Sequence, residues 1–160
     1  MKITFVLGLL TLVAVQANAS WRTVQPAGRV EMAFAVSDRT TETTTSGAQA
    51  VLGVGCESDG HKWVYVRLSD VLAKSVKAVQ GQLNWGNTAS YDAPFSYHSA
   101  SRTLYLKAGV EDAVSLLQGS EFVTVIINWT VTQKSIFNFA LDGSRSAIKN
   151  ALSRCGSNNS

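Results

Sequence analysis

The clearest pattern in the chain is alternation. Arg29 to Val36 sets Val30, Met32, Phe34 and Val36 on one face and Arg29, Glu31, Ala33 and Ala35 on the other, the period of two that marks a half-buried strand. Ala48 to Cys56 repeats it: Ala48, Ala50, Leu52, Val54 and Cys56 share a face, while Gly53 and Gly55 occupy the opposite one. Glycines there predict either a bulge or another group lying close to the backbone. Cys56 points with the apolar set, into the core. Asp59-Gly60 supplies a turn into a third strand, His61 to Leu68, so that the two strands form a hairpin.

Ser69 to Gln80 is ambiguous, since Val71, Leu72, Val76 and Val79 fit a short helix as well as a frayed strand. Gly81 to Trp85 reads as extended and Gly86-Asn87 as the turn that closes it. Pro94 to Ser99 and Arg102 to Lys107 are two short strands joined through Ser99 to Ser101. Val110, Ala113, Val114 and Leu117 recur at helical spacing, with Glu111 and Asp112 in a first turn that favours acids and Gly119 where a C-terminal cap belongs. Glu121 to Thr132 is dense in β-branched and aromatic residues and is the strongest strand signal, expected centrally in its sheet. A turn at Gln133-Lys134 leads into Ser135 to Leu141, whose Phe137, Phe139 and Leu141 face together. Ile148, Ala151, Leu152 and Cys155 then define a closing amphipathic helix, with Asp142 near its start and Arg154 near its end.

Ser20 to Gly28 reads as an extended lead-in anchored by Trp21, and the threonine-rich Ser37 to Gly47 as a solvated loop. About eight strands with two helices predict a mainly β fold, an antiparallel β-sandwich carrying one short helix and a C-terminal amphipathic helix. No repeat or linker divides residues 20–160, so they form a single domain, with 156–160 as a polar tail.

Residues 1–19 change the picture from fold to location. One lysine, an apolar run from Ile3 to Val15 and the small residues Ala17 and Ala19 have the layout of a secretory signal peptide cleaved before Ser20. The run is shorter than the roughly 18 apolar residues a membrane span needs. A periplasmic or secreted product without a membrane span follows as the expectation. In an oxidising compartment the two cysteines, Cys56 and Cys155, are read as one disulfide rather than two buried thiols. Without Lys2 the 14 basic side chains become 13 against 11 acidic ones. That scattered excess of two lacks the clustered Lys and Arg of a nucleic-acid footprint.

The order of motifs resembles the VasI/TagO-like exported bacterial proteins, a family associated with type VI secretion. The likeness lies in Trp21 just after the leader, VLGVGC ending at Cys56, the WVYVRL that follows, FVTVIINW, and the closing FNFALDGSRSAIKNALSRC. It spans most of the mature chain and implies an accessory role in the envelope. Where members of that family carry an Arg-x-Asp-x-Gly element, this chain has Gln82-Leu83-Asn84-Trp85-Gly86, with amides in place of both charges.

Candidate chemistry is sparse. His61 and His98 are the two histidines, and neither has a nucleophile and acid placed beside it by sequence. Two separated histidines and two paired cysteines do not make a zinc site. The carboxylates sit mostly at turns and helix starts, with nothing selecting a glycosidase pair. No catalytic residue, metal ligand or cofactor is assigned. Asn128-Trp129-Thr130 matches a glycosylation sequon but lies in the strongest strand, where packing explains it better. Trp63, Tyr65 and Arg67 share a strand face, and Trp85, Tyr91 and Tyr97 extend a possible aromatic contact surface of the kind interface hot spots favour. The expectation is therefore a non-enzymatic envelope binding or accessory protein whose partner is an envelope or secretion-system protein. The alternative is a periplasmic inhibitor of a cell-wall hydrolase; a hydrolase is the third reading.

Overall fold

Strands form where β-branched and aromatic residues alternate with smaller or polar ones, and ten such segments join into one antiparallel sheet in a computed structural model. It describes residues 20–27, 32–38, 40–41, 47–70, 72, 76–86 and 89–155. Residues 1–19, Arg29, Val30 and Glu31, the centre of the threonine-rich segment, Val71, Asn87 and residues 156–160 lie outside the described residues.

The elements are β1 Trp21–Val24, β2 Met32–Ser37, β3 Thr40–Thr41, β4 Gln49–Glu57, β5 Lys62–Leu68, β6 Ala78–Trp85, β7 Ala89–His98, β8 Thr103–Leu106, α1 Val110–Gly119, β9 Phe122–Asn128, β10 Lys134–Ala140 and α2 Ser144–Cys155. Nine strands run in the order β1-β2-β4-β5-β8-β7-β6-β9-β10, and β3 pairs with the start of β4. The chain goes from β5 to the far strand β6, and the β6-β7-β8 meander then returns to zip β8 onto β5 through Tyr65↔Tyr105, Val66↔Leu104 and Arg67↔Thr103. That pairing joins two groups of strands into one ladder where a sandwich would have left two sheets. Strand count and turn spacing are the same for both arrangements.

The sheet is open but strongly rolled. No ladder joins β1 to β10 among the described residues, yet the Trp21 indole Nε1 donates to the Ala140 carbonyl at 2.9 Å, and Ser20 Oγ donates to the Asp142 carbonyl at 3.0 Å. The two ends of the strand order thus meet through side chains. Rolling gives an inner face that, with both helices, encloses one core containing Leu52, Val64, Phe95, Leu104, Phe137 and Ile148.

Helix α2 sits closest to the sheet because small residues face it. Ala33, Ala35 and Ala50 on the strands and Ala147 and Ala151 on the helix are all buried. Thr23 Oγ1 donates to the Ala147 carbonyl at 3.1 Å, and the Cys56–Cys155 disulfide, with Cα atoms 5.9 Å apart, fastens the last helical turn to β4. Ser144 Oγ at its other end donates to the Leu117 carbonyl at 2.5 Å and ties α2 to the end of α1.

This close approach reverses the expectation for β2. Its larger side chains Met32, Phe34 and Val36 are only half-buried, whereas Ala33, Ala35 and Ser37 face the core. Strand β9 has neighbours on both sides, β6 and β10, but is penultimate in the order rather than central. It also stops at Asn128: Thr130 Oγ1 accepts from the amides of Thr132 and Gln133, which turns the chain and puts Trp129 and Thr130 outside the strand. Strand β7 begins five residues before the expected Pro94, because exposed Ser90, Tyr91 and Asp92 pair along β6 without an apolar alternation to announce them. The ambiguous segment enters β6 at Ala78, with Leu72 and Val76 packed against the core.

Candidate functional site

Because the core lies on the inner face, an aromatic group on the outer face needs its own explanation. Register places Phe34, Gly55 and Trp63 in one row across β2, β4 and β5, and Val36, Gly53, Tyr65 and Tyr105 in the next. The glycines make room for rings. A Cβ built at Gly53 would stand 2.3 Å from Tyr65 Cζ, and one at Gly55 would stand 2.4 Å from Trp63 Cε2. The close approach expected at these glycines is made by two aromatic side chains of the neighbouring strand.

From there the rings continue sideways. Phe34 meets Trp63 and Tyr65 edge-on, with centroids 5.8 and 6.1 Å away. Tyr65 lies 6.4 Å from Tyr105, which meets His98 edge-on at 5.3 Å, and His61 lies 5.6 Å from Trp63. The result is a strip of six rings running His61, Trp63, Phe34, Tyr65, Tyr105, His98, with the two histidines of the chain at its ends. Such contacts add about 0.5–1.5 kcal/mol per pair beyond area burial.

The four central rings, Trp63, Phe34, Tyr65 and Tyr105, floor a concavity of about 510 Å³ whose walls include Arg22, Val24, Val36 and Arg67. Arg22 reaches it from β1, where it pairs with Val36, and its guanidinium contacts Asp38 at 3.2 Å with both groups exposed. Arg67 extends from β5 opposite Thr103. The Tyr65 phenol senses this setting: burial pushes its pKa up to about 12, while the Arg67 and Arg22 charges oppose the rise and Tyr105 adds to it. It stays protonated across the physiological range and offers a hydroxyl beside two cations.

The predicted contact residues divide between this site and two other places. Trp63, Tyr65 and Arg67 come together as expected. Trp85 and Tyr97 do not: they are 2% and 4% exposed on the inner face, where Tyr97 packs edge-on against Trp129 with centroids 5.2 Å apart. Tyr91 is 47% exposed, but it stands at a separate cleft of about 130 Å³ between α1 and the β6–β7 hairpin, which Trp85 also lines. Parity explains the split. Trp85 and Tyr97 share parity, and so a face, with the core residues Leu83 and Phe95, whereas Trp63 and Tyr65 have the opposite parity to the core residues Val64 and Val66.

Sequence reasoning missed Phe34, Tyr105 and Arg22 as parts of the site. The signal available was Gly53-Val54-Gly55, which marked the face on which rings gather. Among the described residues no three His, Cys, Asp or Glu side chains converge as metal ligands, and no helix is long and apolar enough to cross a membrane. In comparisons with protein-family models, curated proteins and solved structures, nothing matches this chain.

Proposed function

We propose that this is an exported, non-enzymatic binding protein of the bacterial cell envelope, acting as an accessory through protein contact at the outer-face concavity. The observation that carries this reading is the ring strip itself. Phe34, Trp63 and Tyr65 are only half-buried on the side of the sheet away from the core, and they are flanked by Arg22 and Arg67. Trp, Tyr and Arg are the residues on which interface energy concentrates, and their seat on three paired strands makes the surface rigid before a partner arrives. The Cys56–Cys155 disulfide supports a location outside the reducing cytosol, and the leader-like residues 1–19 support export. The likeness to VasI/TagO-like proteins favours an accessory role linked to type VI secretion.

The test is affinity capture from a periplasmic fraction with the oxidised mature protein as bait, beside Trp63→Ala and Tyr91→Ala. A partner retained by the wild type and by Tyr91→Ala but lost with Trp63→Ala supports this face. Capture that is indifferent to residue 63 overturns it.

The inhibitor reading draws on a different feature. The β9–β10 turn is held by the two bonds to Thr130 Oγ1, and it presents Val131 at 105% exposure on a rigid projection. Inhibition of a lysozyme-type hydrolase that disappears in Val131→Asp would favour that reading over the first.

A further inference from the structure

The outer-face concavity continues past the ring strip. A second hollow of about 440 Å³ shares Arg22, Val36, Val51 and Arg67 with the first and extends to Ser69 and Arg102. The two are one trough with different ends: Phe34, Trp63 and Tyr65 at one, and three arginines, 22, 67 and 102, along the middle and the other. No carboxylate lines either half among the described residues. Asp38 contacts Arg22 from outside the trough.

Arg102 is held there at a cost. Its φ of 56° is the single positive value among the described non-glycine residues, a conformation that glycine or asparagine would take more readily. Its backbone accepts from the Leu68 amide at 2.9 Å, and its Nη1 donates to the Ser69 carbonyl at 2.6 Å, so the guanidinium is fixed at the trough's end. Strained residues kept in place by surrounding bonds are concentrated at functional positions.

Resting on the binding reading above, we infer that the trough takes an acidic polypeptide segment: its carboxylates meet Arg22, Arg67 and Arg102, and a neighbouring aromatic or aliphatic side chain lies on Trp63 and Tyr65. Guanidinium forks match carboxylates in two-bond geometry, and the ring floor matches an apolar anchor. A bilayer fits less well, because a flat surface does not reach the floor of a recessed trough. Single-stranded nucleic acid could stack on the rings, but it also needs a basic track along its backbone, and beyond the three arginines the basic residues are scattered along the chain.

The experiment measures binding of the oxidised mature protein to a random glutamate–tyrosine copolymer, with poly-lysine, an oligo-thymidine strand and phosphatidylglycerol vesicles alongside. The expected result is salt-sensitive binding to the acidic copolymer above the other three. It should fall at least tenfold in Arg67→Glu and severalfold in Arg102→Gly, and stay unchanged in Lys149→Glu on the far helix. Retention of binding in both arginine variants, or preference for the oligonucleotide or the vesicles, overturns the inference. Arg102→Gly suits the backbone at that position and guards against loss by misfolding. If a captured partner depends on Trp63 but not on Arg67 or Arg102, the acidic-segment assignment fails while the contact face stands; if it depends on none of them, both fail.

Discussion

The ring of Tyr65 lies directly on the backbone of Gly53, so close that a Cβ at position 53 would come within 2.3 Å of Cζ. Two strands are therefore matched by a ring on one and the absence of a side chain on the other. Gly53→Ala is expected to destabilise the fold by about 1–3 kcal/mol through overpacking. Tyr65→Ala should cost stability too, but the double variant should cost clearly less than the two together. Urea unfolding of the four proteins checks this, and strict additivity would refute the contact.

Removal of the disulfide is expected to cost about 2–4 kcal/mol, since it closes a loop with a sequence separation of 99 residues. Cys56→Ser and Cys155→Ser should lose similar amounts, and the double variant little more than either. Chemical denaturation with and without reductant measures it, and the reductant should leave the variants unmoved.

Tyr65 should ionise late. Its pKa is raised from 10.0 to about 12, chiefly by burial, so its protonated form is favoured by folding. The stability it contributes is fully present below pH 10 and is lost as pH rises from there through 12, a change of order 2–3 kcal/mol at about 1.4 kcal/mol per unit. Absorbance titration should show a late-ionising phenol that is missing from Tyr65→Phe, and Arg67→Ala should delay it further by removing an opposing charge.

The buried bond from Trp129 Nε1 to Ser135 Oγ, 2.8 Å long, should be worth more broken than absent. Trp129→Phe strands the serine and is expected to cost about 1–3 kcal/mol. Adding Ser135→Ala should recover part of that loss in thermal unfolding.

Arg102→Gly exchanges a left-handed arginine, which costs about 1–2 kcal/mol, for the lost bond to Ser69 and a more flexible unfolded chain. Its unfolding free energy should stay within about 1 kcal/mol of wild type by denaturant titration. A larger loss would mean that the guanidinium is a structural clamp.

Most of the strands, both helices and the Cys56–Cys155 pairing were legible in the sequence because each depends on local periodicity or on a pair with no competitor. Phe137, Phe139 and Leu141 face the core as their alternation predicts. What stayed hidden was which face of β2 is the inner one. Phe34 and Val36 are the more apolar set, but α2 needs the space that Ala33 and Ala35 leave, and that is a fact about a helix more than a hundred residues away. The single sheet was hidden for a like reason, since pairing of Tyr65 with Tyr105 is set by where a meander returns. For the candidate site, Trp63, Tyr65 and Arg67 could be read from one strand, whereas Phe34, Tyr105 and Arg22 reach it from three others and Arg102 from the turn before β8. Parity against a known core was the missing information for Trp85 and Tyr97.

The disulfide has a mechanical meaning as well. Tension applied on either side of the two cysteines would travel through β1, β2, β3 and β4 to Cys56 and cross the sulfur bridge to Cys155. Everything between those cysteines, including β5 with Trp63, Tyr65 and Arg67, lies off the load path. With the disulfide intact, stretching would peel away β1 to β4, with Arg22, Phe34 and the glycines on which Trp63 and Tyr65 lie, and leave Trp63, Tyr65, Arg67 and Tyr105 inside a covalent ring that force does not enter.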